Sequence, residues 1–146
     1  MSTPSHAILG YGTQLKRGDG ATPEIFTAIA EVRDISGPNL SRDFEEVTHQ
    51  ASPAGYTEFL PKLKSGSELQ FELAFLPGDP TQDANTGLLA DYESGAKRNY
   101  KLVFPFTPNK TASFAAFVQS LQPKAPVNAA MTASATLKIT GPVSWA

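Results

Sequence analysis

The sequence predicts a mainly β protein of antiparallel strands with one α-helix. Residues 68–76 alternate strictly, with Leu69, Phe71, Leu73 and Phe75 on one parity and Glu68, Gln70, Glu72 and Ala74 on the other. That pattern marks a half-buried antiparallel strand. Residues 129–140 alternate in the same way, Ala133, Ala135, Leu137 and Ile139 against Thr132, Ser134, Thr136 and Lys138. Helical spacing is convincing in one place, where Ala84, Leu88, Leu89 and Tyr92 recur within residues 81–94.

Taken in order, residues 1–11 read as a Gly- and Ser-punctuated arm, and residues 12–16 as a short strand. Gly18-Asp19-Gly20 makes a turn because glycine accepts positive φ cheaply. Residues 24–35 form one long β-rich segment through Phe26, Ile29, Val32 and Ile35, ended by Gly37-Pro38-Asn39. Residues 36–57 make a long polar loop in which only residues 44–48 look strand-like. A connection of that length is usually functional or flexible. Strand signals resume over residues 56–60, with turns at Pro61 and at Ser65-Gly66. After the strand at 68–76, Asp79 and Pro80 offer an N-cap and a first turn for the helix, and Gly95 fits its C-terminal cap. Residues 99–106 alternate through Tyr100, Leu102, Phe104 and Phe106. Residues 111–121 fit strand or helix; the β-rich context favours strand, broken by Pro123 and Pro126. The alternation at 129–140 spans about 40 Å at strand rise, long for a small domain, which suggests a sheet extended by neighbouring subunits.

With 146 residues the chain suits a single domain able to bury about 68–70% of its unfolded surface. It has no cysteine, which excludes disulfides, thiol nucleophiles and Cys-ligated zinc. A net charge of −2 argues against general affinity for nucleic-acid phosphates. Between Glu24 and Glu72 nine acids face four bases, so acidity is concentrated in the first half. His6 and His49, the only histidines, lie far apart and read as surface residues. Gly10-Tyr-Gly12 is followed by no helix that would present amides to a phosphate. Glu45 and Glu46, adjacent on a strand, face opposite ways and make a poor acid/base pair. The expectation is a chain that is not an enzyme and holds no cofactor and no metal. Its start lacks the features of a signal peptide, and no apolar run reaches the roughly 20 residues that span a bilayer. Assembly in a cytoplasm without membrane contact is expected. Asn109-Lys-Thr111 fits a glycosylation acceptor and is read as chance.

A succession of short motifs points further. Tyr11-Gly-Thr, Gly18-Asp-Gly20, Glu24-Ile-Phe-Thr27, Ile29-Ala-Glu-Val32, Ile35-Ser-Gly-Pro38 and Asp43 with Val47-Thr48 come first. Gly55-Tyr56, Glu58-Phe59, Lys64-Ser-Gly with Glu68, and Phe75 with Pro77 follow. In order and spacing over residues 10–105 the chain resembles the major tail tube proteins of long, flexible-tailed (siphovirus) bacteriophages, a family related to the type VI secretion tube protein.

The resemblance implies a β-sandwich or barrel-like tail tube fold flanked by the one helix, as a single domain over residues 1–146. It implies hexameric rings whose inner strands close into one barrel. The rings stack as a structural virion protein into the phage tail tube, the conduit for genome ejection into the host. The implied partners are further copies of the chain and the tape measure, tail terminator and tail-tip proteins, while DNA passes through without specific binding. On that reading the loop at about 36–57 orders against the next ring through Asn39, Arg42, Asp43, Glu45 and Glu46. Glu68, Gln70, Glu72, Thr132, Ser134 and Thr136 line the channel, giving it a negative wall. A second reading, a β-sandwich binding or adhesion module, requires an exposed aromatic platform, and the single Trp145 is poorly placed for one.

Overall fold

Hydrophobic alternation builds the centre of the molecule from three strands: β6 (Glu68–Ala74), β8 (Lys110–Lys124) and β9 (Thr132–Trp145). The computed structural model describes residues 4–5, 7–106, 108 and 110–146. His6 and Asn109, the first residue of the acceptor triplet, lie outside the described residues. Leu69, Phe71 and Leu73 of β6, Phe114, Ala116 and Val118 of β8, and Ala133, Ala135, Leu137 and Ile139 of β9 are buried in one core. Each large apolar side chain so buried contributes about 1.5–3 kcal/mol.

The remaining strands extend this centre on both sides. They are β1 (Gln14–Gly18), β2 (Phe26–Ala28), β3 (Val32–Ser36) and β7 (Arg98–Phe104). The seven form one sheet in the order β2-β1-β7-β8-β9-β6-β3, antiparallel at every pairing. The N-terminal part of β8 pairs with β7 and the N-terminal part of β9 pairs with β6. The two long strands therefore belong to both halves of a sheet that wraps a shared core. Register shifts at Ser113/Ala115 and Val118/Ser120 interrupt their ladder, the places where bulges bend strands. A separate hairpin, β4 (Ser41–Glu46) with β5 (Phe59–Ser65), carries one 3-10 turn (Pro53–Gly55) in its connection.

Several expectations are corrected. The segment at 24–35 is two strands, not one, because Glu31 takes a left-handed conformation (φ 58°) between β2 and β3. The polar stretch at 36–57 contains β4 from Ser41, earlier than its strand-like residues suggested. Pro61 and Pro123 lie inside β5 and β8 and break neither. β7 ends its pairing at Ala116, so β8 is an edge strand at Pro123, where a missing N–H is tolerated. β9 starts at Thr132 and continues through Gly141 and Pro142 to Trp145.

The helix, α1, covers only Leu88–Ser94. Asp79 Oδ1 accepts bonds from the Thr81 hydroxyl and amide, and Asp83 Oδ1 accepts them from the Thr86 amide and hydroxyl. These bonds hold both carboxyls below their ordinary values, and the resulting turns displace the first half of the expected helix. The predicted end stands: Gly95 caps it in the left-handed region (φ 67°).

Two buried polar side chains tie the parts together. Gln82 Nε2 donates to the carbonyls of Ala30 (3.0 Å) and Ala74 (3.2 Å), and its Oε1 accepts the Leu76 amide (2.9 Å). It stitches the β2–β3 crossover to the end of β6. Asp91 of α1, 1% exposed, accepts Arg17 Nη2 of β1 (2.8 Å) and Nε, and Arg98 Nε of β7 (3.0 Å). Tyr100 stacks on Phe114 at 6.1 Å between centroids. Its hydroxyl is buried near Asp91 and makes no well-formed hydrogen bond among the described residues. Burial, and next the charge of Asp91, push that hydroxyl far above its ordinary value.

Removing one member of a buried ion cluster leaves uncompensated charge. Asp91→Ala is expected to cost about 3–5 kcal/mol and to lower the melting temperature by roughly 10 °C, read by circular dichroism. For Tyr100 the folded state holds the proton more tightly than the unfolded state, whose value is near 10.0. Its contribution is therefore complete below that pH and is lost as pH rises above it. Tyr100→Phe removes an orphaned hydroxyl worth about 1–3 kcal/mol of strain on folding and flattens the alkaline loss. Denaturant titrations near neutrality and in strong alkali compare the two proteins.

Candidate assembly surfaces

The six residues expected to line a channel come together on one outward face. In the β6–β9 ladder Glu68 faces Lys138, Gln70 faces Thr136, Glu72 faces Ser134 and Ala74 faces Thr132. Their sequence neighbours Leu69, Phe71, Leu73, Ala133, Ala135 and Leu137 are committed to the core, so the polar set points away from it. The face is wider than the sequence disclosed. After its second register shift β8 sets Ser120, Gln122 and Lys124 beside Thr136, Ser134 and Thr132. On the other flank β3 sets Ser36 beside Gln70, with exposed Asp34 two residues earlier. The result is a polar surface four strands wide, β3-β6-β9-β8, carrying Asp34, Glu68 and Glu72 against Arg33, Lys124 and Lys138. A shallow depression of about 400 Å³ lies between Asp34, Ser36, Gln70, Glu72, Ser134 and Thr136.

The β4–β5 hairpin leaves this sheet between β3 and β6. Gly37 (φ 112°) opens it, in a place where a Cβ would sit 2.8 Å from the Glu68 carbonyl oxygen. The Asn39 amide then donates to that same carbonyl at 3.1 Å. At the other foot, a Cβ on Gly66 would meet methyl groups of Ile139 and Val143 at 2.8 and 2.9 Å, so the base presses on β9. Arg42 lies opposite Lys64, Asp43 in the register shift, Glu45 opposite Leu60 and Glu46 opposite Phe59, all exposed. Glu45 pairs with Lys62 at 2.9 Å. At this exposure the pair is worth about 0–1 kcal/mol and defines register more than stability. Glu58 organises the connection: its amide donates to Thr48 Oγ1 (2.8 Å) and its carboxylate accepts Ser52 Oγ (2.8 Å). His49 Nε2 stands 3.5 Å from the same carboxylate.

The apolar side of this hairpin escaped the sequence reading. Phe44, Phe59 and Pro61 share one face, Glu45, Leu60 and Lys62 occupy the other, and Leu63 stands beside Lys62 in the register shift opposite Asp43. Phe59 and Pro61 at alternate positions were the available signal, hidden by reading Pro61 as a turn. A lone two-stranded hairpin is marginally stable in water. One that exposes an apolar face marks a surface for association.

Among the described residues no three His, Asp or Glu side chains are grouped to hold a metal ion. No described helix is long and apolar enough to cross a membrane. Trp145 is stacked on Phe104 at 6.0 Å between centroids, so one of its faces is spent on packing.

Comparison with known proteins follows the same lines. The sequence model of the family described as Lambda phage tail tube protein matches residues 12–146. No curated protein matches the chain. Among solved structures, the tail of an empty gene transfer agent particle, refined with C6 symmetry, is similar at 18% identity and a TM-score of 0.73, over 96% of this chain and 99% of that one. A chain of the PVC extracellular contractile injection system, from its sheath/tube terminator in the extended state, is similar at 17% identity and a TM-score of 0.70, over 99% of each chain. A chain of the SPP1 tail tube is similar at 13% identity and a TM-score of 0.64, over 92% of this chain and 77% of that one. At these identities the likeness is one of fold. The family match, by contrast, runs from the residues just before β1 to the end of β9, and the chain belongs to the Lambda phage tail tube protein family, as a structural protein of the tail.

Proposed function

We propose that six copies form a ring and that rings stack into the tail tube, with the β3-β6-β9-β8 face lining the channel that conducts the genome into the host. The observation that carries this reading is a four-stranded polar face with an unpaired strand edge on each side, β3 on one and the end of β8 on the other. Four is even, so the β3 edge of one copy meets the β8 edge of the next antiparallel, and the alternation continues around a ring. Closure removes the edges that would otherwise template aggregation. The C6 symmetry of the gene transfer agent tail supports six as the number.

The role is structural, without catalysis. A single domain over residues 1–146 serves it, and the tape measure, tail terminator and tail-tip proteins are its further partners. Residues Asn39, Arg42, Asp43, Glu45 and Glu46 engage the adjacent ring and set its register. The channel wall follows from polymer electrostatics. DNA must slide, and a basic wall would hold phosphates by releasing their counterions. Three acids against Arg33, Lys124 and Lys138 leave each copy's wall near neutral, without the positive excess that would hold phosphates, and its hydroxyl and amide groups offer no base-specific readout.

Electron microscopy of the concentrated protein is expected to show rings and tubes with six-fold symmetry. A species that stays monomeric at every concentration and salt overturns the reading. Glu68→Lys with Glu72→Lys makes each copy's wall more positive by four charges and gives it a basic excess. Tubes are expected to form while DNA delivery falls by about an order of magnitude. Unimpaired delivery by assembled tubes means that these side chains do not face the DNA.

A further inference from the structure

Exposed apolar surface collects at both ends of the channel sheet. β6 and β9 run side by side from the Glu68–Lys138 pair to the Ala74–Thr132 pair. The β4–β5 hairpin leaves at the first end, between Ser36 and Glu68. The turn at residues 125–131 leaves at the second, beyond the Lys124–Thr132 pair of β8 and β9. On the hairpin, Phe44 and Phe59 are more than half exposed on one face, which Pro61 shares, and Leu63, in the register shift, is 91% exposed. On the opposite turn Val127 is 100% exposed. Met131 is also exposed there, next to Leu76, since the Phe75 amide bonds the Met131 carbonyl at 3.0 Å.

Identical subunits stacked head to tail bring one end of each copy against the opposite end of another, which demands two different, complementary patches. These two ends match in apolar character and also in charge. Glu46 shares the hairpin face with Phe44 and Phe59, Lys124 borders the turn, and among the described residues neither takes part in an ion pair. We propose that residues 125–131, with Leu76, form the seat for the apolar face of the β4–β5 hairpin of a second copy in the adjacent ring. The seat rests on the tube reading above and adds to it the receiving surface, with Glu46 directed at Lys124.

The absence of cysteine makes the test clean. Phe59→Cys together with Val127→Cys supplies the only two thiols, and a short bismaleimide is applied to assembled tubes. The double variant is expected to give a ladder of covalent multimers on a denaturing gel. Each single variant stays monomeric there, because the seat brings position 59 to 127 and never to another 59. Tubes without the ladder overturn the seat and leave the tube reading standing. A natural protein that forms no tubes overturns both. Should the double variant fail to assemble, Val127→Asp decides. An unchanged melting temperature with a polymerisation threshold raised about tenfold or more supports the seat, and an unchanged threshold overturns it.

Discussion

Period-two alternation along β9 couples the interior of the protein to its surface. Ala133, Ala135, Leu137 and Ile139 are held by the core, and each commits the residue after or before it to the opposite side. A slip of one position against β6 would expel Leu137 and Ile139 and bury Ser134 and Lys138, a change the core cannot absorb. The polar face is therefore the other half of a pattern that packing already imposes. Strands β6 and β8 follow from the same constraint, since their own buried residues must meet those of β9 in register.

At the borders of that ladder apolar burial runs short and polar groups take over. Seven residues are too few for a stable isolated helix, yet α1 holds its position because Leu88 is buried in the core and Asp91 reaches two guanidinium groups on two different strands. Such a cluster contributes less net stability than an apolar replacement can, because desolvating three charges is costly. What it supplies is placement: the carboxylate has one location in which both arginines are satisfied. Gln82 acts likewise at the β2–β3 crossover, where three backbone groups have one amide side chain to share.

The strands with strict alternation, β6, β7 and β9, were legible in the sequence, and so was the shared outward face of the polar residues of β6 and β9. The contributions of Asp34, Ser36, Ser120, Gln122 and Lys124 were not, because pairing between distant strands leaves no local mark. Pro61 and Pro123 misled for a definable reason. Proline breaks interior strands, and nothing local announced that both positions lie on strand edges. The helix end was written in Gly95, but its start depended on whether Asp79 and Asp83 would cap a helix or close turns, and their side chains suit either. Asp91 and Arg17 stand 74 residues apart, so their pairing emerges only in the fold.

The length of the β8–β9 ladder has a mechanical consequence. Tension applied along these strands loads many backbone hydrogen bonds in shear at once, and they must fail together. A two-stranded hairpin resting on a neighbouring molecule can tilt or slide with little loss. In a tube stacked as proposed, stiffness would reside within each ring and compliance between rings. Such a tail would bend as a chain of rigid short segments, keeping its bore open while its axis curves.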